Sequence, residues 1–523
     1  MDGTTSTADQ YSRDMKDVDT VATTADVKGR LDEEKGRISF EVVDAEQALA
    51  PEADQPFTSA LAFTCLVASI GSFQYGWHAG STSIVMDVMR CSASDPNSSH
   101  TLSSCLNMNT DVWAFFNASF ALGGLFGGIV ASLFMGRMGR IQACHICNAL
   151  FVIAALLLSI APHPAVLTLG RFIAGIAAGA QSSIVPTYVA EISPPKWRGA
   201  LGCSFGFQLS TGVLVAQLLS IVLNFRPGWR VLCGLTGVWA GVMSVGFLWC
   251  PEGPRYLVMS GKREEARRAL MRLRGSDPVG VEGELQAIIR GIEAEQSGRE
   301  DSKTLSLMGI MRSPVLRKPL FLAGMIHLAQ QLSGINPIVG YAAQLFSRFM
   351  APSTAMWLAV ALTGCNNMGI VVSSTQMNRV GRRRFFLISV TGMAVSIGLV
   401  VMFAQLNKNA AATVLLLIAI CFYALGLGPI PWLITSELFP ATAIGSASSF
   451  AATVNWTFNF VLTYAFADMQ NGMGNWSLLV FAGGLMVVGV VLGGTMPETT
   501  GRGVEEVVEG FKGGWGARGV KRL

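Results

Sequence analysis

The chain has 523 residues, of which 51% are hydrophobic and only 14% charged, and its formal net charge is +4. Soluble globular chains carry about a quarter charged residues, so this composition argues against a water-soluble protein and for a membrane-embedded one. The mean hydropathy of +0.46 agrees.

In chain order, residues 1–56 come first, rich in Asp, Glu, Thr and Ser. They cannot bury a core, and they read as a disordered N-terminal tail. No short apolar stretch with a cleavage site opens the chain, so the first apolar run is expected to double as the targeting signal. Apolar runs of about 20 residues, the length that crosses a bilayer, then recur along the sequence. About twelve are expected, beginning near Phe57, Val112, Ile141, Val166, Leu201, Arg230, Leu320, Thr354, Phe385, Ala410, Ala443 and Trp476. Cys91 and Cys105 flank the polar loop SASDPNSSHTLSS between the first two runs. On an oxidising side of the membrane this pair can form a disulfide, and the sequon at Asn97 fits the same side. Cys144 and Cys147 form CHIC where the third run begins, but no second pair accompanies them. Packing is the expected role, with no metal site and no cofactor.

Arg137 and Arg140, Lys196 and Arg198, and Arg379, Arg382, Arg383 and Arg384 follow the second, fourth and eighth runs. A basic segment, KREEARRALMRLR, lies in the long stretch after the sixth. The positive-inside rule puts these loops and both termini in the cytosol, and the Cys91–Cys105 loop outside.

The sequence also repeats. Arg137-Met-Gly-Arg140 recurs 242 residues later as Arg379-Val-Gly-Arg382. Glu191-Ile-Ser-Pro194 and Pro251-Glu-Gly-Pro recur 246 residues later as Glu437-Leu-Phe-Pro440 and Pro497-Glu-Thr-Thr. The spacing and the shared order predict two related halves of about six spans, an organisation that places a transport site between the halves. The parts expected are a tail at 1–56, a first half at 57–250, a cytoplasmic helical linker at 251–318, a second half at 319–496 and a tail at 497–523. The duplicated charges suggest a cytoplasmic gate of charge-assisted bonds. Arg137, Arg140, Glu191, Arg198, Glu252 and Arg255 would face Arg379, Arg382, Glu437 and Glu498 across the halves. Ordinary interfacial charge serving topology alone is the competing reading.

PEGPR (251–255), QQLSGINP (330–337), NRVGRR (378–383), GPIPW (428–432), SELFP (436–440) and PETTG (497–501) stand in this order. With GRFIAGIAAG (170–179) and VPTYVAEISPPKWRG (185–199), the chain resembles the sugar porter family of the major facilitator superfamily over residues 57–505. The resemblance implies an all-α membrane protein with twelve transmembrane helices in two six-helix halves, a cytoplasmic helical linker domain, and alternating access around a central sugar site. It aligns Gln330, Gln331, Asn336, Asn366 and Trp432 with sugar-contacting positions, and places Asn455 and Asn459 in the NWxxN pattern of span eleven.

Those residue types suit the chemistry independently. A sugar hydroxyl both donates and accepts, as an amide side chain does, and a Trp can stack on the apolar face of the ring. Polar groups within spans are functional candidates by default, with interhelical hydrogen bonding as their alternative role. GLGPIPW carries helix breakers, tolerated where the backbone is buried in protein or lines a cavity. Three departures stand out. Glucose carriers place a Gln in span five where this chain has Gly206, and Gln208, two positions on, points about 200° away around a helix. Ala424 stands where some facilitative carriers have Glu. The arginine that usually follows ELFP is absent from ATAIGSASS.

SFQYGWHAGSTS (72–83) poses the coupling question. By resemblance, proton-coupled sugar porters carry Asp at the place of His78 and facilitative ones carry Asn. His78 and Arg171 are expected at similar depth, as a polar pair or a proton-coupling pair. No GxxxxGK[ST], HExxH or GxSxG motif stands in the sequence, which argues against a pump or hydrolase. The expected activity is movement of a hexose, related monosaccharide or polyol, facilitative or weakly proton-coupled. A proton-coupled symporter and a non-transporting sugar sensor are the alternatives. Its partners would be the sugar and the lipid bilayer, with no nucleic acid and a monomer as the functional unit. Its location would be the plasma membrane or an endomembrane such as the vacuole.

Overall fold

The computed structural model describes residues 57–91, 104–134, 138–202, 204–275, 278–301, 305–512 and 514. The N-terminal tail, the sequon at Asn97 and Arg137 lie outside the described residues, as does the side chain of Arg198.

The first half runs α1 (Ser59–Gly80), α2 (Thr110–Phe134), α3 (Arg140–Ile160), α4 (Pro164–Ile192), α5 (Ser204–Val222) and α6 (Gly228–Phe247). The second runs α7 (Arg317–Leu332), α8 (Pro352–Val380), α9 (Arg382–Gln405), α10 (Asn409–Leu425), α11 (Ala441–Met473) and α12 (Ser477–Thr495). Nine segments among the described residues are long and apolar enough to cross a membrane, and the last, Thr442–Thr495, takes in both α11 and α12. α1 is not among them because SFQYGWH dilutes its hydropathy, and α7 is not because it stops after 16 residues. Leu248 and Val490 are 73% and 75% exposed on the outer surface of the bundle. Apolar side chains turned outward on this scale are what a lipid surrounding accommodates and water does not.

Small residues let helices touch backbone to backbone. A Cβ on Gly123 would overlap Phe172 O, and one on Gly175 would overlap Phe120 O, which locks α2 onto α4. Gly76 and Gly212 do the same for α1 and α5. Within lipid, close packing replaces the hydrophobic drive, so these contacts are where helix association is decided.

Between α6 and α7 lie helices Pro254–Met259, Arg263–Arg274, Pro278–Asp301 and Leu307–Arg312. Leu257, Leu270, Val281, Leu285 and Ile289 give the first three a small apolar core of their own. Arg274 fastens them to the first half. It donates to both carboxylate oxygens of Glu284 at 2.6 and 2.9 Å and to Ile192 O, at the end of α4, at 2.8 Å. Past α12, helix Val504–Gly510 is held at the base of α7, where Lys318 Nζ donates to Phe511 O at 2.9 Å.

The halves meet along α2–α11 and α5–α8. Trp456 of α11 is buried against Gly124, and its ring lies 5.5 Å from that of Tyr75. Thr363 of α8 donates to Gln217 of α5 at 2.8 Å, and Asn366 donates to Ser210 at 2.8 Å. Ser83 Oγ accepts from Ala343 N at 3.3 Å, and Gln344 Nε2 donates to Ser83 O at 2.8 Å. That contact lies near the Cys91–Cys105 disulfide, which is formed.

Candidate functional site

Two helix breaks define the middle of the second half. α7 ends at Leu332; Gly334, with φ +72°, turns the chain into Ile335–Gly340 and Ala342–Ser347. α10 ends in Gly426-Leu-Gly-Pro and resumes as Ile430–Leu438. A break in a buried helix frees backbone groups, and each needs a partner. Ser389 donates to Phe422 O at 2.5 Å and accepts from Leu427 N at 2.9 Å. Ser373 donates to Leu425 O at 2.6 Å. Gln330 Nε2 donates to Leu427 O and Gly428 O, both at 2.9 Å.

Gln330 is therefore a hub. Its Oε1 also accepts from Asn455 Nδ2 at 2.7 Å, and that amide lies 3.2 Å from His327 Nδ1. His327 Nε2 lies 3.5 Å from Thr435 Oγ1, and its ring meets Trp432 edge-on at 5.0 Å. His327 was not singled out in the sequence. The signal was present: it stands three residues before Gln330, on the same face of α7.

The remaining amides divide. Gln331 accepts from Asn336 Nδ2 at 2.7 Å, its one partner among the described residues, across the α7 break. Asn366 is half-buried and holds Ser210 of the other half, while its Oδ1 finds no protein partner. Trp432 is 39% exposed, which leaves part of the indole uncovered beside His327. Asn459 accepts from Thr463 within its own helix at 3.2 Å. Gln208 is half-buried, whereas a Cβ on Gly206 would meet nothing within 4 Å. Gly206, not Gln208, borders open space on α5.

In the first half, the His78 ring is sandwiched between Phe120 at 5.7 Å and Phe151 at 5.6 Å. The Arg171 guanidinium covers Phe116 and Phe120 and donates to Thr82 Oγ1 at 3.5 Å. The two residues share one buried pocket and are linked through the Phe120 ring, with no hydrogen bond between them. A neutral cluster lies deeper, also unanticipated. Gln74 and Gln181 both donate to Asn148 Oδ1, at 3.3 and 3.2 Å, and Asn148 donates to Ser244 at 2.9 Å.

The duplicated charges form two copies of one device. Arg140 donates through Nε and Nη2 to Glu191 at 3.0 and 2.8 Å, while its backbone N–H donates to Glu252 at 2.8 Å. Arg382 repeats this with Glu437, at 3.2 and 3.1 Å, and with Glu498 at 2.8 Å. Thr499 Oγ1 donates to the other oxygen of Glu437. Helices α3 and α9 begin after Gly139 and Gly381, N-cap residues that bring no side chain. A carboxylate borrowed from PEGP or PETT caps each helix instead, and a Cβ on either glycine would collide with it.

This corrects the expectation of charges facing each other across the halves. The Arg140–Glu191–Glu252 and Arg382–Glu437–Glu498 clusters each close within one half. The borrowed cap ties Glu252 and Glu498 to a helix of their own half, and Glu191 and Glu437 accept from the guanidinium of that helix's first residue. Arg255 belongs to the first cluster, where its charge reaches Glu191. Arg379 is exposed at the end of α8. Among the described residues no group of His, Cys, Asp or Glu is placed to hold a metal ion.

A duplicated helical bundle with broken helices and an amide-lined centre is the build of a secondary transporter of the major facilitator fold. Residues 64–511 match the family model described as "Sugar (and other) transporter". Facilitated glucose transporter member 3 of solute carrier family 2 from Canis lupus familiaris is 31% identical over 474 residues, covering 88% of this chain and 94% of that one. Member 2 from Sus scrofa is 31% identical over 412 residues, covering 77% of each. The fold is similar to the partially occluded inward-open xylose transporter XylE from E. coli, with a TM-score of 0.70 and 21% identity, covering 85% of this chain and all of that one. A proton:xylose symporter XylE structure bound to 6-bromo-6-deoxy-D-glucose matches with a TM-score of 0.70 and 22% identity over 88% of this chain. The chain belongs to the sugar transporter family and is a multi-pass membrane protein.

Proposed function

We propose that the protein carries a neutral monosaccharide, a hexose or a related sugar or polyol, by alternating access between its two six-span halves. The observation that supports this most is the make-up of the broken-helix centre. Gln331, Asn336, Asn366 and a partly exposed Trp432 stand there, all uncharged. Such a set offers paired donors and acceptors and one stacking face, the complement of a sugar ring. Gln331, Asn336 and Asn366 are the direct contacts in this reading. Gln330 and Asn455 act one step back, holding the α10 break in shape. Gly206 enlarges the site where glucose carriers have an amide.

Transport is facilitative in this reading. His78 sits between two phenyl rings, and no carboxylate among the described residues is bonded to it or to Arg171. The Arg140 and Arg382 clusters work as the cytoplasmic gate by stiffening the base of each half. The functional unit is the monomer, in the plasma membrane or an endomembrane. The test is uptake of a radiolabelled sugar and polyol panel into proteoliposomes, with and without an imposed proton gradient. Saturable, gradient-independent uptake of at least one sugar is expected. Binding without flux would assign a sensor instead, and gradient-driven accumulation a symporter.

A further inference from the structure

A cavity lies past the α7 break, at the end of the bundle that carries the Cys91–Cys105 disulfide. Its volume is about 140 Å³, enough for several waters or one small solute. Both halves line it. Arg90 and Trp113 come from the first half; Tyr341, Gln344 and Arg348 come from the second. Of the described residues lining it, none is acidic. Trp113 Nε1 and Gln344 Oε1 are buried there without a partner among the described residues, and the Tyr341 hydroxyl lies beside the Asn117 side chain. A buried indole N–H left unpaired is costly unless something meets it.

Arg90 is held in place. Cys91 N donates to Leu106 O at 3.0 Å and Leu106 N donates to Met89 O at 2.8 Å. The adjacent disulfide fixes the same pair of segments, and Arg90 Nε donates to Met108 O at 3.0 Å, which sets the guanidinium at the cavity wall. Arg348 is exposed at the end of Ala342–Ser347 and makes no ion pair with any described residue. Asp468 and Arg90 both lie within electrostatic reach of Tyr341.

We propose that this cavity binds a small oxyanion, a carboxylate or phosphate, between Arg90 of one half and Arg348 of the other. The guanidinium fork matches oxyanion geometry, and the indole N–H and phenol O–H supply further donors. The walls also carry the neutral Thr110, Gln470 and Asn471, so the two guanidiniums are what favour an anion here over a neutral sugar. The bound anion neutralises two like charges brought together by closure at this end. It therefore stabilises the arrangement in which Gln344 bonds Ser83 across the halves. The proposal does not depend on which sugar is carried.

The experiment is thermal unfolding of the full-length protein in nanodiscs, titrated with sodium phosphate or sodium acetate against sodium chloride at matched ionic strength. A saturable rise in unfolding temperature with phosphate or acetate, absent with chloride, is expected, and whichever anion acts identifies the class. Arg348→Gln removes one charge-assisted contact, so half-saturation should move by about tenfold or more. Arg90→Gln, on the other half, gives the same loss independently. Equal shifts in wild type and both variants, equal shifts with chloride, or no shift in wild type would overturn the proposal. A saturable shift with mannitol that Arg348→Gln abolishes would reassign the cavity to a neutral polyol.

Discussion

Gln330 and Gln331 are neighbours with different work, and truncating each separates holding the site from touching the substrate. Gln330→Ala removes donations to Leu427 O and Gly428 O and the acceptor for Asn455. Interhelical bonds in membranes average about 0.6 kcal/mol, and ordinary intramolecular ones about 1 kcal/mol, so three of them come to about 2–3 kcal/mol. The freed carbonyls stay buried at the helix break, which pushes toward the upper end. Gln331→Ala removes one bond, to Asn336, and costs about 1 kcal/mol or less. If Gln331 meets a substrate hydroxyl, its loss costs about 1–3 kcal/mol of binding, or about 5- to 150-fold in Kd. Unfolding temperature and equilibrium binding of the best sugar of the panel, measured on both variants, give the ratio. Gln330→Ala should lose mainly stability, with affinity following because α10 shifts; Gln331→Ala should lose mainly affinity. A Gln330→Ala protein as stable as wild type would refute the hub, and unaltered binding in Gln331→Ala would refute the contact.

Other outcomes follow from the same geometry. Arg382→Gln breaks a charge-assisted pair with Glu437, a loss of about 1.5–3 kcal/mol, and should change cysteine accessibility on the two faces while leaving sugar affinity in place; unchanged accessibility would count against a gating role. His78→Asn should retain uptake, and uptake should be the same with or without a proton gradient. Accumulation driven by an acidic exterior in wild type, lost in His78→Asn, would overturn the facilitative reading. Gly206→Gln should fold normally, since a Cβ there meets nothing within 4 Å, and should shift the sugar preference in the uptake panel.

The sequence makes the bundle legible because bilayer length and the two-half repeat are both one-dimensional signals. Starts expected near Ile141, Val166 and Trp476 fall within two residues of α3, α4 and α12. The Cys91–Cys105 pair was readable for the same reason: a short polar loop leaves its ends close. Pairings that depend on three-dimensional approach were harder. Gly139 and Gly381 look like turn residues, and nothing local tells that a carboxylate more than a hundred positions away caps the helices that follow. The cross-half expectation failed there, because complementary charges at repeated positions do not say which partner is nearer. Arg274 reads as one more cation in a basic run, yet it is buried against Ile192 O and Glu284. His327 was hidden in the opposite way: a lone histidine in an apolar run draws less notice than the two glutamines after it.

The hydrogen-bond inventory also says where the molecule can give. Inside each half, Arg140 and Arg382 are tied by charge-assisted bonds that also cap α3 and α9, and such bonds are worth about 1.5–3 kcal/mol each. Between the halves, the bonds named here are Thr363 to Gln217, Asn366 to Ser210, and the Ser83 contacts with Ala343 and Gln344. All are neutral, at about 1 kcal/mol or less. The same contrast runs through packing. Glycine pairs fuse α2 to α4 and α1 to α5 within the first half, whereas the α5–α8 seam rests on hydroxyl and amide side chains that can exchange partners. When the bundle changes shape, the cheaper route is to part the seam and keep each half intact. Asn366 then sits where that choice matters most. Its amide is held by Ser210 across the seam, and under the proposed function a sugar hydroxyl that took over the bond would release α5 from α8 without leaving the amide unpaired. Substrate entry and seam opening would then be one exchange of hydrogen bonds, and Ser210→Ala should weaken the closed seam while leaving Asn366 free to bind.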